Sequence, residues 1–480
     1  MFVLALDQGT TGSTALLLDG SGKVLGKGYR ELPQHFPKPG WVEHDPEEIW
    51  DTTIGAAREA VGNARVSRRD VKAIGITNQR ETAILWDKAT GRPLHRAIVW
   101  QDRRTAERCR ELDAAMIRAK TGLLPDAYFS ATKAEWLMRE LGDPGGAAFG
   151  TVDTWLVHKL TKGRAHVTDP SNASRTMLYD IDHHRWDPEL LRLFGVREDM
   201  LPQVLPSAGV FGFADAEWFG HEVPIAGIAG DQQAALFGQG CFEAGSAKTT
   251  YGTGAFLLMN TGGRRVASQS GLLTTVGCDA TGAPAYALEG SIFIAGAAVQ
   301  WLRDGLGVVA KAGETEAIAR KLDSNGGVTF VPALAGLGAP HWEPEARGTI
   351  FGITRGTTKA HLIRATLESM AFATREVVDA MSADAQLPLA GMKVDGGASQ
   401  NDWLMQYQAD VLGVAVQRPD VVETTALGAA ALAGVGTGLW KAHDFLAQRH
   451  YQTFKPGARP EQDWRQWQRA VRAVLGWARS

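Results

Sequence analysis

Three things are scarce in this chain of 480 residues, and each scarcity excludes something. Cysteine occurs only as Cys109, Cys241 and Cys278. These are too widely spaced for a metal motif and too few for a disulfide framework, so reduced thiols and a cytoplasmic setting are expected. Long apolar runs are missing: a stretch such as residues 292–302 falls short of the roughly 20 residues that a bilayer demands. The N-terminus enters an apolar run at residues 2–6 and meets Asp7, without the basic start and apolar region of a secretory signal. Charge of one sign is lacking as well. Fifty Lys and Arg against 53 Asp and Glu leave a net charge of −3, which gives no footprint for nucleic acid or anionic lipid. Arg68-Arg69 and Arg103-Arg104 are short and have acids beside them.

Glycine, in contrast, is plentiful at 55 residues, much of it in short turns where backbone must approach a neighbour or a ligand closely. The length argues for two or more domains, because one core rarely grows so large. Two segments look alike: LALDQGTTGSTALLLDGSGKVLG at 4–26 and AKTTYGTGAFLLMNTGG at 247–263. Each joins two β-rich runs by a Gly/Thr turn, the mark of a hairpin. Their spacing predicts a duplicated architecture, with one domain over 1–245 and another over 246–480. Two unrelated hairpins are the alternative. Strands are predicted over 71–77, 223–228 and 392–394, and helices over 46–61, 361–381, 401–412 and 425–432, with another starting near residue 231. Asp45 reads as an N-cap, Pro46 as the first helical residue and Glu48 as the second half of a capping box. The Ala-rich 425–432 reads as a closely packed helix, and the stretch with Trp464, Trp467 and Trp477 as a packed C-terminal one. Alternating strands and helices imply an α/β fold.

The turn Asp7-Gln8-Gly9-Thr10-Thr11-Gly12-Ser13-Thr14 offers backbone N–H groups, hydroxyls and little Cβ bulk, which is what a phosphate chain needs. Asp7, at the strand end, suits Mg²⁺, directly or through water. Gly252-Thr253-Gly254 repeats that chemistry. An ordinary hairpin turn is the alternative for each. Asp395-Gly396-Gly397-Ala398 ends a strand where ligands bind in open α/β sheets, and Asn401 reads equally as a nucleotide contact or a helix cap. Asp231, after a buried strand and at a helix start, suits a proton acceptor or a simple N-cap. The run Asn78-Gln79-Arg80-Glu81-Thr82 suits recognition of a small polyol, or a salt-bridged surface loop. Trp100-Gln101-Asp102-Arg103-Arg104 and Tyr128-Phe129-Ser130 read as walls for a polyol's carbons, or as packing.

In this order the motifs resemble the FGGY carbohydrate kinases, and among them the members that act on glycerol. The likeness runs through ALDQGTT, PKPGWVEHDPEEIW, GITNQRET, WQDRRTAE, GTVDTWL, TDPSNASRTML and GIAGDQQAALFGQ, then TYGTG, ALEG, GLGAPHW, RATLES and VDGGAS. It implies an actin/hexokinase-like (ribonuclease H-like) duplicated two-domain fold with a cleft between the domains. It further implies ATP and Mg²⁺ as cofactors and transfer of a phosphoryl group to glycerol, giving sn-glycerol 3-phosphate. Asp231 would be the general base. Arg80, Glu81, Tyr128, Asp231 and Gln232 would bind glycerol, with Phe256 lining the pocket. Thr10, Thr11, Gly12, Thr14 and Thr253 would serve the phosphates, Gly296, Gln300, Gly397 and Asn401 the rest of the nucleotide, and Asp7 the Mg²⁺. The partners implied are glycerol and ATP, with no nucleic acid or membrane insertion, in a homodimer or homotetramer. The chain departs from the pattern at Thr14, where many members carry Arg, and at Gly12, where Ser is frequent. Residues 211–222 lack the Gly-rich, Arg-containing loop of an inhibitor site. Glu217 stands where some members carry a phosphorylated His, and His221 does not match that position. Neither form of regulation is expected. An ATP-driven structural protein and a pentulose kinase are the rival readings.

Overall fold

Two mixed sheets organise the molecule, and each is built on one of the two Gly/Thr hairpins. The computed structural model describes residues 1–480. The first sheet contains β1 (Phe2–Gln8), β2 (Gly12–Asp19), β3 (Val24–Glu31), β4 (Val71–Asn78), β5 (Ala208–Ala214) and β6 (Val223–Gly230), in the order β5-β6-β4-β1-β2-β3. The second contains β7 (Ser246–Tyr251), β8 (Ala255–Gly262), β9 (Leu273–Cys278), β10 (Pro284–Ile292), β11 (Gly391–Asp395), β12 (Val416–Pro419) and β13 (Tyr451–Phe454), in the order β9-β10-β8-β7-β11-β12-β13. The opening strand is central in both. β1 runs antiparallel to β2 and parallel to β4, as β7 runs antiparallel to β8 and parallel to β11. Parallel neighbours require a crossover, and both halves supply it with helix.

The helices that support the site are α1 (Pro46–Ala64), α2 (Ser130–Leu141), α3 (Asp231–Gly238), α4 (Gly296–Asp304), α5 (Lys359–Ala385), α6 (Asp402–Leu412), α7 (Thr424–Gly436) and α8 (Glu461–Ala478). Pro46 opens α1, and Asp45 caps it by accepting the Glu47 N–H at 2.9 Å. Glu48 does not complete a capping box. His35 offers a partner across the fold, and the Glu48 carboxylate meets its Nε2 at 2.9 Å. In α8, Trp464 and Trp467 join the core of the second sheet, whereas Trp477 is exposed.

α7 comes late in the sequence yet packs on the first sheet. Ala426, Ala429, Ala430 and Ala433 share a buried cluster with Val3, Ala5, Leu16 and Leu18. Backbones almost touch there: a Cβ on Gly428 would stand 1.9 Å from the Ala234 carbonyl oxygen. Glycine alone permits that approach.

Cross-strand partners share a face of their sheet. In the second sheet this aligns Lys248 with Leu258, Glu289 and Lys393, and aligns Thr250 with Phe256, Ser291 and Asp395. In the first, Asp7 lies opposite Thr14 and Thr77. All three cysteines are free and buried. No helix is long and apolar enough to cross a membrane.

Candidate active site

Burial decides between the two readings of residues 78–82, because Arg80 is 2% exposed and Glu81 1%. The run is not a surface loop. Buried charges need partners, and Arg80 has several. Its Nη1 and Nη2 donate to the two Glu289 oxygens at 2.7 and 3.0 Å. Nη1 also reaches Gln233 Oε1 at 3.2 Å, and Nη2 reaches the Tyr128 hydroxyl at 3.4 Å. Its Nε lies 3.3 Å from Asp231 Oδ1. Arg175 closes the square, donating to Glu81 Oε1 at 2.5 Å and to Glu289 Oε1 at 3.1 Å. Burial pushes the Glu289 carboxyl up, but Arg175 and Arg80 outweigh it and hold the group at about 2. Because Glu289 belongs to β10, this square joins the two sheets at the bottom of the cleft.

Asp231 sits at the open edge of the square. The N-cap position of α3 falls to Gly230, and the Asp231 carboxylate accepts the N–H of its neighbour Gln232 at 2.7 Å. One third of its side chain, 33%, is exposed. A carboxylate anchored on one side and open on the other can take a proton from a bound hydroxyl. Gln232 accepts from the buried ammonium of Lys248, which also donates to Thr250 Oγ1 at 2.9 Å. Phe256 shares the sheet face of Thr250. Tyr128 packs edge-on against Trp100, with ring centroids 5.4 Å apart, and the Trp100 indole N–H donates to the Thr10 hydroxyl at 2.9 Å. One indole thus touches both the polyol-type pocket and the first Gly/Thr turn.

That turn is closed by the Gly9 N–H donating to the Gly12 carbonyl at 2.9 Å. Thr10 is half-buried and Thr11 is exposed. In the second turn the Thr253 carbonyl accepts from the N–H groups of Ala295 and Ala297 at 2.8 and 3.0 Å. The start of α4 lies so close that a Cβ on Gly296 would stand 2.5 Å from the Gly252 carbonyl oxygen. Asp7 ends β1. Burial, then the charges of Asp231 and Glu423, push its carboxyl up to about 7. Crowded carboxylates are relieved by a divalent cation. No cluster of three or more His, Cys, Asp or Glu is gathered to hold an ion alone. That donor set fits Mg²⁺, which keeps several waters and takes one or two carboxylates together with phosphate oxygens.

A cavity of about 500 Å³ opens beside the second turn, its lining including Thr253, Gly296, Gln300, Gly397, Asn401 and Leu404. The size suits a small organic ligand. Gly396 takes φ +83°, and a Cβ there would stand 2.4 Å from the Tyr251 carbonyl oxygen, so this tight turn requires glycine. Gly397 is different: a Cβ would meet nothing within 4 Å, which leaves room for a flat group against backbone. Asn401 caps α6 by accepting the Leu404 N–H at 2.9 Å, and it also lines the cavity.

The charged residues after Trp100 are not part of the pocket. Arg104 pairs with Asp102 at 2.8 Å and Glu43 at 2.7 Å and lies over the Trp41 ring, while Arg103 pairs with Asp126. Sequence reasoning assigned no role to Arg175, Glu289, Lys248 or Lys133. A signal existed for Glu289: it is the one charge in the apolar strand PAYALEGSI, and a lone buried acid demands a partner.

Known proteins resemble the chain along its whole length. The N-terminal domain model of the FGGY family of carbohydrate kinases matches residues 2–238, and the C-terminal domain model matches 247–437. Glycerol kinase 2 of Thermotoga maritima is 54% identical over 99% of this chain and 99% of that protein. The glycerol kinase of Deinococcus radiodurans is 54% identical over 99% of this chain and 98% of that one. A crystal structure of Plasmodium falciparum glycerol kinase with ADP superposes with a TM-score of 0.92 at 36% identity, covering 99% of this chain and 98% of that one. The duplicated sheets therefore form the two-domain, actin/hexokinase-like architecture of sugar kinases. Matched along both of its halves, the chain belongs to the FGGY family of carbohydrate kinases.

Proposed function

We propose that this chain is an ATP-dependent kinase that moves the γ-phosphoryl group of ATP to a primary hydroxyl of glycerol, releasing ADP and sn-glycerol 3-phosphate. Relatives 52–54% identical along almost the whole chain carry the name glycerol kinase. The observation that carries the mechanism is the one-third exposed Asp231 carboxylate, anchored by Arg80 at 3.3 Å in an otherwise sealed polar floor.

In this reading glycerol lies among Arg80, Glu81, Tyr128, Asp231 and Gln232, with Phe256 against its carbons. The Arg80 guanidinium is held by Glu289, so it is a fixed rather than a searching donor. Asp231 accepts the proton of the attacking hydroxyl. Thr10, Thr11, Gly12, Thr14 and Thr253 face the phosphate chain, and Gly296, Gln300, Gly397 and Asn401 line the rest of the nucleotide's site. Asp7 would hold Mg²⁺, which when bound supplies neutralisation of charge on the phosphate oxygens. Residues 1–245 together with α7, which packs on the first sheet, and the remainder of 246–480 act as two jaws whose closure excludes water, the competing acceptor. The three buried free thiols suit a reducing cytoplasm. The assembly proposed is a homodimer or homotetramer, to be read by light scattering.

Asp231→Asn tests the mechanism. A coupled ADP-release assay should show turnover reduced about a thousandfold, with ATP binding retained. Near-normal turnover refutes the base assignment. The same assay with dihydroxyacetone, xylulose and ribulose tests the substrate, and faster turnover of a pentulose refutes glycerol.

A further inference from the structure

We infer that Tyr29 is a nucleotide-binding residue: its phenol reaches across the bare backbone of Gly12 and donates a hydrogen bond to the phosphate chain at the first Gly/Thr turn. The inference rests on the nucleotide reading of that turn and adds a donor that lies outside it, on β3.

The sheet register sets the direction of the side chain. Asp7 pairs with Thr14, and Thr14 pairs with Tyr29, so the three share one face. Lys27, two residues before Tyr29 and on the same face, pairs with Glu423 at the start of α7. Gly12 pairs with Glu31, which makes Tyr29 its diagonal neighbour on that face. Contact then follows. A Cβ on Gly12 would stand 2.6 Å from the Tyr29 hydroxyl oxygen and 2.7 Å from its ring. The ring therefore lies on the turn itself, and a residue with a side chain at position 12 would push it away.

Availability completes the case. Tyr29 is 49% exposed, although burying an aromatic ring is favourable. Its main-chain N–H donates to Glu59 at 3.3 Å, while its hydroxyl oxygen lies over Gly12 at the turn. The cations beside it on β3 are already used: Lys27 pairs with Glu423 and Arg30 with Glu59. A phosphate chain at this turn needs donors, and a phenol O–H to an anionic oxygen is a charge-assisted bond. Tyr29, lying over Gly12, is in position to supply one such bond from outside the turn.

Tyr29→Phe keeps the ring on Gly12 and removes only the hydroxyl. The expected result is a five- to tenfold weaker Kd for Mg·ADP by calorimetry and a matching rise in the KM for ATP, as loss of one half-exposed charge-assisted bond implies. The glycerol KM and the melting temperature should not change. Thr11→Ala and Thr253→Ala serve as controls on the turns. If they weaken ADP binding while Tyr29→Phe does not, the role of Tyr29 is refuted and the nucleotide reading stands. If none of the three weakens it, that reading fails and takes the inference with it.

Discussion

Glu81 holds φ at +63°, a conformation that residues with a Cβ rarely adopt, so its surroundings must enforce it. Ser130 Oγ at 3.0 Å and Lys133 Nζ at 3.1 Å, both from α2, donate to its carbonyl, and Lys133 also donates to the Tyr128 carbonyl at 2.6 Å. Two residues of the proposed glycerol pocket are thus set by one buried amine. Burial, only partly offset by Glu81, pushes Lys133 down to about 7 from 10.5. Between those values the unfolded chain binds more protons than the folded one, so stability rises with pH. Denaturant unfolding at pH 7, 8 and 9 should show a slope up to about 1.4 kcal/mol per pH unit larger in the wild type than in Lys133→Met; equal slopes would sink the assignment. Ser130→Ala should raise the glycerol KM severalfold and leave the ATP KM alone. Arg80, Glu81, Tyr128 and Asp231 stood out in the sequence as polar breaks beside apolar runs, but the roles proposed for them came from the family resemblance. Their partners did not stand out. Arg175 lies 94 residues from Glu81, and Glu289 lies 209 from Arg80, in segments where the sequence predicted no element and no role was assigned.

At the scale of elements, α7 shows where periodicity stops informing. Both hairpins and the alternation of strands with helices were readable, since apolar runs and Gly/Thr turns mark them directly. The packing of α7 was readable too, from its small residues. Its destination was not, because an Ala- and Gly-rich helix has neither a polar side to mark solvent nor a bulky side to mark its own core. It is squeezed between the first sheet and α3. Gly428→Ala should therefore cost about 2–3 kcal/mol in urea unfolding, since its methyl would stand 1.9 Å from the Ala234 oxygen. Gly62→Ala in α1 is the contrast. A Cβ there meets nothing within 4 Å, and helix propensity favours alanine by about 0.5–1 kcal/mol. An unchanged midpoint for Gly428→Ala would mean that the helix can move away.

At the scale of the molecule, the duplication was legible and the bridge between its halves was not. Glu289 crosses from the second sheet to Arg80, which follows β4, and to Arg175, both in the N-terminal half. With its carboxyl held at about 2 against the usual 4.5, it contributes stability above the ordinary carboxylate range, and that contribution disappears as pH falls from 4.5 toward 2. Glu289→Gln should lower stability by about 3–5 kcal/mol at neutral pH and flatten the acid limb of the unfolding curve followed by circular dichroism. A variant with the wild-type acid limb would show that the bridge is not what acid breaks. The buried thiols have a practical consequence of their own. Burial lifts Cys109 and Cys241 to about 11 and Cys278 higher still, so none presents a reactive thiolate at neutral pH. A cysteine introduced on each lip of the cleft would be the handle that a maleimide dye finds. Energy transfer between two such dyes can then follow the opening of the jaws while every native sulfur stays in place.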